Sequence, residues 1–450
     1  MINQPNKLIT QYNNYINSKK YISAIRICKL GKKKFPLYRD IHGDLFFHKE
    51  HVRTLLKLNR VKDAFYEITD NSNEDLNMIL ARHFVTCKDY ELADLLLSKI
   101  LIKKPGDKEA LRNAKRISDA TFGKKHVYKS ISIKHVKEAI SLLPTRKQRI
   151  KFYLGKHIAK NCSGILIEEQ LDKAKDYMTR WDWMKLIHSR KDLKKISEKS
   201  YIGKAYTFKL LKILKNLNLN PKVFALIIGD FVPTMPLVQF PYIAKVRQSN
   251  SMEFGTILKC LNQERHWSEF EKISAESGQS FESRLEKAVW RGATTHSGLR
   301  LKLVEKFFKS TDFFDVGFSK IVQNKDHLQK YVKGSMTIEE MAKYKYIISL
   351  PGNDKDSGLS WKLASGSVVI MPRPTSHSWL GEKFLIPGFH YLQINNDFSD
   401  LKLVLDWCRN NQNRCKRIAF NSKIYMTQFL DSNSERSLQE NILRNFFNSI

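Results

Sequence analysis

At 450 residues the chain is too long for one ordinary domain and fits two or three. Hydrophobic residues at 42% and aromatics at 11% suffice to build cores, which excludes wholesale disorder. Lys and Arg number 78 against 45 Asp and Glu, a formal charge of +33. Such a surface is drawn to a polyanion, but charge does not choose among nucleic acid, an anionic membrane face and phosphorylated ligands.

No run of about 18 uninterrupted apolar residues occurs, so no transmembrane helix is expected. The opening MINQPNKLITQYNN lacks the apolar core of a secretory signal. Cys28, Cys87, Cys162, Cys260, Cys408 and Cys415 form no CxxC pair, and no His follows at zinc-finger spacing. They read as reduced, mostly buried thiols of a cytoplasmic protein. Heavy Asn, Lys and Ile usage reads as the mark of an AT-rich genome, a reading that explains part of the basicity without any function.

Residues 1–120 carry helical periodicity and almost no strand signal. Tyr21, Ala24 and Pro36 recur as Tyr90, Ala93 and Pro105, each 69 residues further on. That is close to two copies of a helix–turn–helix unit of about 34 residues, with Ala64 in an out-of-step middle copy. The small Ala lets two helices approach and the Pro stops the second. The pattern resembles tetratricopeptide repeats. It predicts either a docking surface for a protein partner or a helical cap.

The stretch 121–205 is the most basic. Arg146, Lys147, Arg149, Lys151, Lys156 and Lys160 crowd one segment, and Lys185, Arg190, Lys191, Lys194, Lys195 and Lys199 another. They read as a patch facing anionic lipid or polyphosphate, or as a solvated helix face. Trp181 and Trp183 are too few to propose nucleic-acid stacking, and no specific nucleic acid is expected.

From about 205 the grammar changes to strand–loop–helix. VFALIIGD (223–230) reads as a buried parallel strand ending in an acid. KAVW leads into RGATTHSG and an amphipathic helix; YKYIISL leads into PGNDKDSG, SWKLAS and GSVVIMP; FHYLQI leads into NNDFSD, with Ser399 a helix cap. Strands alternating with helices predict a doubly wound α/β sheet, with ligands beyond the strands' carboxyl ends. Arg291, Gly292, Thr294, Gly352, Asn353, Ser360, Lys362, Gly366 and Ser367 lie in such loops. Backbone N–H groups, hydroxyls and cations there suit phosphate, and three converging loops make a diphosphate cradle.

WRGATT, DVGF (315–318), KYKYIISLPGN (343–353), SWKLASGSVVI (360–370), Trp379, FHYLQI and DFSDL (397–401) fall in one order. As an ordered set they resemble glycosyltransferase family 90, well over about 280–420 and weakly over 205–280. The resemblance implies a GT-B-like pair of Rossmann-like domains preceded by the all-α repeat region. The divisions are then 1–120, 121–280 on the acceptor side and 281–450 on the nucleotide-sugar side.

It further implies an inverting, metal-independent transfer from a nucleotide sugar, commonly a UDP-sugar, by one in-line displacement with no cofactor. By motif position Arg291 contacts the diphosphate and Lys362 assists it. Gly366 and Ser367 lie against the nucleotide, Asn353 and Ser360 line the pocket, and Asp315 meets the ribose hydroxyls or merely ends a strand. The base is expected in the first Rossmann-like domain. Asp230 is the sole acid between Glu198 and Glu253 and is the candidate; a base aligned at Asn220 or Pro221 implies another carboxylate or inactivity.

Asp354-Lys355-Asp356 matches an Asp-X-Asp metal motif, which so short a pattern produces by coincidence. His296 reads as a loop residue and His390 as a packed core histidine. His377-Ser378-Trp379 is either a pocket wall or a surface loop.

The expectation is a cytoplasmic enzyme, peripheral on the inner face of the plasma membrane, glycosylating a glycan or glycolipid such as lipopolysaccharide core. A protein O-glycosyltransferase and an inactive nucleotide-binding helical-repeat scaffold are the alternatives. A nucleic-acid binder rests on charge alone.

Overall fold

The computed structural model describes residues 5–40, 45–58, 60–61, 63–64, 74–104, 107–121, 133–154, 184–187, 190–199, 201–219, 224–227, 242–248, 256–258, 263–276, 279–295 and 298–449. The chain forms two compact units. The first is Met1–Ser130 with Ile386–Gly388 and Gln393–Cys415; the second is Ile131–Leu385 with Phe389–Leu392 and Lys416–Ile450.

The first unit is helical: α1 (Pro5–Asn17), α2 (Tyr21–Lys34), α3 (Phe46–Lys57), α4 (Glu74–Thr86), α5 (Tyr90–Lys103) and α6 (Lys108–Thr121). The 69-residue spacing is built into its turns. Lys19 and Lys88 both take positive φ, 56° and 59°, in the left-handed closure that ends a helix. Lys20 N donates to Tyr15 O (2.8 Å) and Lys19 N to Ile16 O (3.0 Å); Asp89 N donates to Phe84 O (2.9 Å) and Lys88 N to Val85 O (3.2 Å). The α1–α2 turn and the α4–α5 turn are thus the same turn. Ala24 and Ala93, the small residues of the pattern, are both fully buried, as is Ala64. At Gly31 an added Cβ would lie 2.2 Å from the Phe47 ring, so α2 and α3 touch where only glycine fits.

The second unit begins with α7 (Ile133–Ser141) and α8 (Arg146–Leu154). Then come β1 (Met184–Ile187), α9 (Arg190–Lys199), α10 (Tyr201–Asn216), β2 (Phe224–Ile227), β3 (Tyr242–Ala244), β4 (Val246–Gln248), β5 (Thr256–Leu258) and α11 (Gln263–Glu276). Its first sheet runs β1-β2-β3-β5. β2–β3 and β3–β5 are parallel, while β1 is antiparallel to β2. The sheet is therefore mixed, with the strand read from VFALIIGD between a parallel and an antiparallel neighbour.

The rest of the unit builds a second sheet from β6 (Leu285–Ala293), β7 (Phe314–Lys320), β8 (Tyr344–Ile348) and β9 (Val368–Pro372), neighbours in the order β9-β8-β6-β7. β6 pairs in parallel with β7 and β8, and β8 with β9. Strands covered on both faces need apolar residues at successive positions, and Ala288-Val289-Trp290 and Val368–Pro372 are buried without alternation. The connecting helices are α12 (Gly298–Phe307), α13 (Ile338–Ala342) and α14 (Leu359–Ala364). α13 opens with a capping box: Glu340 N donates to Thr337 Oγ1 (3.1 Å) and Thr337 N to Glu340 Oε2 (2.7 Å). The short β10 (Ser376–Ser378) pairs antiparallel with β4.

α15 (Leu401–Asn410) belongs to the first unit, where Lys99 meets the buried Asp400 at 3.0 Å. Asp400, not Ser399, stands at the N-cap position of this helix, with its side chain accepting from Asn395 N (2.8 Å) rather than capping; the Ser399 hydroxyl turns to Asp397. α16 (Gln412–Thr427) and α17 (Ser432–Ser449) close the chain. One core of the second unit joins Phe224, Leu226 and Ile243 of the first sheet to Val289, Ile347 and Val369 of the second, with Phe446 and Phe447 of α17. Arg149, placed by sequence in a basic surface patch, is instead buried on Glu435 at 2.7 Å.

Candidate active site

The carboxyl edge of the second sheet is held by one arginine. Arg300 of α12 donates from Nε to Pro351 O (2.9 Å), from Nη1 to Ala293 O (2.9 Å) and from Nη2 to Leu350 O (3.4 Å). It thereby ties the end of β6 to the chain leaving β8. Burial with no hydrogen-bonded carboxylate pulls its pKa below the usual guanidinium range, and the field of Asp356 opposes this. An added Cβ at Gly292 would meet the Trp290 ring at 2.8 Å, and one at Gly352 would meet Arg300 Nη2 at 3.1 Å and Thr295 Oγ1 at 3.3 Å. The Trp290 ring favours glycine at 292, and at 352 a Cβ would push Arg300 or Thr295 aside by a few tenths of an ångström. Thr294 latches the edge, donating to Val322 O and accepting from Val322 N, both at 2.8 Å.

The loop after β8 carries two ion pairs. Asp356 accepts from Ser349 Oγ (2.5 Å), from Gly358 N (2.9 Å) and from Lys362 Nζ. Burial raises the Asp356 pKa, but Lys362 and these hydrogen bonds outweigh it and hold the carboxyl below the usual range. Asp354 pairs with Lys245 at 3.1 Å. The Asp354-Lys355-Asp356 carboxylates are thus each committed to a separate lysine. No group of three or more potential metal ligands occurs among the described residues. Asn353 Oδ1 accepts a long 3.4 Å bond from Gln323. Two buried hydroxyl oxygens here, Thr295 Oγ1 and Ser360 Oγ, have no hydrogen-bond partner among the described residues. Buried polar atoms are ordinarily paired, so these two mark where a polar ligand would complete the edge.

Arg291 stands on β6 itself, not in the loop. It donates to Asp315 O (2.8 Å) and Asp315 Oδ1 (2.7 Å). Tyr344 Oη donates to Asp315 Oδ2 at 2.7 Å, and Lys333 lies 3.2 Å away. Burial raises the Asp315 pKa; the bonds from Arg291 and Tyr344 more than reverse it. The Tyr344 phenol is pushed up to about 12 by burial and by Asp315. The expected diphosphate contact and the expected ribose contact therefore hold each other.

Gly366 and Ser367 do not join the cradle. Ser367 Oγ donates to Tyr344 O (2.6 Å), at the start of β8, and accepts from the buried Arg284 (2.7 Å). They lie at the amino edge, a strand length from Gly352. The single pocket expected from the turns at 291, 353 and 366 is corrected to an edge formed by 292–295 and 349–362. Asp230, Asn220, Pro221 and His296 lie outside the described residues.

His377-Ser378-Trp379 packs inward and forms neither a wall nor a loop. Trp379 lies against Trp267, ring centroids 4.4 Å apart, and Ser378 bonds to Glu382 at 2.6 Å. Burial, with Arg247, Lys383 and Arg373 nearby, pushes the His377 pKa down to about 3. His390 is fully buried beside Tyr425, a core histidine. Sequence reasoning missed Arg300, Asp356 and Lys245. Arg300 carried a signal, closing the RGATTHSGLR run; the lysine pairings carried none.

Parallel strands with a glycine-, hydroxyl- and cation-bearing carboxyl edge define an α/β domain of the kind that binds polar ligands there. Comparison with known proteins specifies the class. Residues 257–446 match the model of glycosyl transferase family 90, and this region of the chain is a domain of that family. O-glucosyltransferase LpsA of Dichelobacter nodosus is 27% identical over 243 residues, covering 54% of this chain and 72% of that protein. Uncharacterized protein 027R of Frog virus 3 is 30% identical over 175 residues, 32% of this chain and 18% of that one. Protein O-glucosyltransferase 2 of Danio rerio is 25% identical over 149 residues, 33% and 29%. The chain thus spans most of the first relative and less than a third of the other two.

Proposed function

We propose that this glycosyltransferase moves a sugar from a nucleotide sugar, a UDP-sugar first among candidates, to a hydroxyl of a surface glycan such as lipopolysaccharide core. Glucose is the sugar to test first, because two of the similar proteins are named O-glucosyltransferases. The observation that carries the reading is the edge at Arg300, Gly352, Thr295 and Ser360. It pairs close backbone approach with two buried, unpartnered hydroxyls. In the proposed GT-B arrangement the donor's diphosphate meets this edge and the acceptor sits on the side of the first sheet. The acceptor oxygen attacks the anomeric carbon in line, Asp230 takes its proton, and the sugar–phosphate bond breaks with inversion. The leaving diphosphate gains charge that the edge's hydroxyls and N–H groups stabilise. Metal independence is supported by the commitment of Asp354 and Asp356 to separate lysines, since a cation would have to break both pairs.

The test is a panel of nucleotide sugars in a thermal-shift format, with and without EDTA, followed by transfer and donor-hydrolysis assays. A shift with UDP-glucose and turnover that survives EDTA is the expected result. Asp230→Asn should abolish transfer while leaving nucleotide affinity nearly unchanged. Binding without turnover in the unaltered chain would instead make it a nucleotide-binding scaffold.

A further inference from the structure

Between residues 5 and 39 the sequence holds nine basic residues (Lys7, Lys19, Lys20, Arg26, Lys29, Lys32, Lys33, Lys34, Arg39) and no Asp or Glu. The fold sorts them. α2 buries Ala24, Ile25, Cys28 and Gly31 and leaves Ile22, Arg26, Lys29, Leu30, Lys33 and Lys34 exposed. At 100° per residue those six side chains share one face. Its apolar members are not shielded: Ile22 is 64% exposed and Leu30 38%. The next turn continues the pattern. Phe35 stacks on Phe47 (6.5 Å) and Tyr38 meets Phe46 edge-on (6.4 Å), so the aromatics on either side are anchored. Leu37 between them is 79% exposed, the largest exposure among the large hydrophobic side chains described.

From this basic, acid-free face studded with outward apolar side chains we infer that α2 and the Phe35–Tyr38 turn dock the protein on an anionic phospholipid surface. Lys and Arg would meet the headgroups, and Ile22, Leu30 and Leu37 would enter the acyl boundary. Charge complementarity selects an anionic partner. The apolar side chains select a bilayer over nucleic acid or free polyphosphate, on which they would lie idle. Along the helix Ile22 and Leu30 stand about 12 Å apart at 1.5 Å per residue, so α2 would lie along the surface rather than enter it end-on. The inference does not depend on the transferase reading. It places a membrane-facing patch on α2, apart from the basic stretch 121–205, of which Arg149 turns inward to Glu435.

Sedimentation of the full chain with vesicles tests it, comparing pure phosphatidylcholine with an equal mixture of phosphatidylcholine and phosphatidylglycerol. Binding to the mixture and not to pure phosphatidylcholine is expected. Arg26→Gln/Lys29→Gln/Lys33→Gln should weaken partition about 100-fold, at roughly fivefold per lost basic contact. Ile22→Ser/Leu37→Ser, which changes no charge, should weaken it about tenfold or more. All five positions are exposed, and matching unfolding midpoints check that the fold persists. The inference is overturned if the unaltered chain shows no preference for the anionic vesicles. It is equally overturned if the serine variant binds them like the parent, which would leave only a charge contact of the kind a soluble acidic protein could make. Unchanged binding of the glutamine variant would place the contact elsewhere on the +33 surface and sink the assignment to α2.

Discussion

Lys362 distinguishes two kinds of site. A lysine that touches the donor's diphosphate would be dispensable to the fold. The structure instead buries it against Asp356, with side chains 5% and 13% exposed. Lys362→Met leaves that carboxylate buried without its cation. Breaking a buried pair from one side typically costs about 3–5 kcal/mol, whereas replacing both members is close to neutral. The single variant should therefore unfold on the order of 10 °C earlier. Lys362→Met/Asp356→Asn should recover most of the loss, with a coupling of about 3 kcal/mol in the double-mutant cycle. Urea unfolding of the four proteins measures it. Nucleotide-sugar affinity, read in parallel, assigns the role. A positioning lysine gives affinity that falls in the single variant and returns in the double. A direct diphosphate contact gives affinity that stays low in both. Single variants within about 1 kcal/mol of the parent would refute the argument, because such a pair could not be desolvated.

Three further outcomes follow from other buried groups. His377, held neutral to about pH 3 against an ordinary 6.5, lets the unfolded chain bind a proton that the folded one refuses. Stability present above pH 6.5 is lost as pH falls, by about 1.4 kcal/mol per unit or about 2 kcal/mol between pH 7 and 5. Urea midpoints of His377→Asn should lose that part of the slope, and an identical slope would refute it. Glu435→Ala strands the buried Arg149 and should cost about 3–5 kcal/mol, visible as an early thermal transition. Arg300→Lys replaces a guanidinium that reaches three carbonyls with a single ammonium; loosening the edge by about 1 Å should cut kcat about 100-fold in a donor-turnover assay while the fold persists.

What the sequence disclosed follows from the range of each interaction. The 69-residue repeat was legible because a helix turn is local chemistry: the Ala positions and the helix starts at Tyr21 and Tyr90 recur, and the left-handed Lys19 and Lys88 recur with them. β8 and β9 were legible because burial on both faces removes polar residues from a strand. Gly366-Ser367 misled because a Gly-Ser pair looks the same at either end of a strand. Connectivity does decide it: in β8–α14–β9 the turn after the helix must return to the amino edge if the strands are parallel. Arg291 misled because β6 runs on through Ala293, so the residue read as a loop is a strand residue facing Asp315. Lys245–Asp354 joins residues more than a hundred positions apart, and neither residue type nor spacing announces such a pair.

These pairings change how the excess of positive charge works at the site. Acids are scarce in the chain, yet Asp354 and Asp356 at the edge each hold a cation, Lys245 and Lys362. Arg300 spends its donors on backbone carbonyls. Among the described residues, Thr295 Oγ1 and Ser360 Oγ are the hydroxyls at the edge with no hydrogen-bond partner. A ligand that completed those hydroxyls would bond to neutral groups, while the neighbouring cations are already paired and oriented. Fixed charges that need not reorganise stabilise a developing negative charge better than mobile surface lysines, whose response is screened by water and salt. Transfer at such an edge should therefore depend weakly on ionic strength, while membrane docking through α2, made by exposed lysines, should depend on it steeply. Measuring turnover and vesicle binding over one salt series separates the two, and parallel losses in both would contradict the buried, preorganised edge.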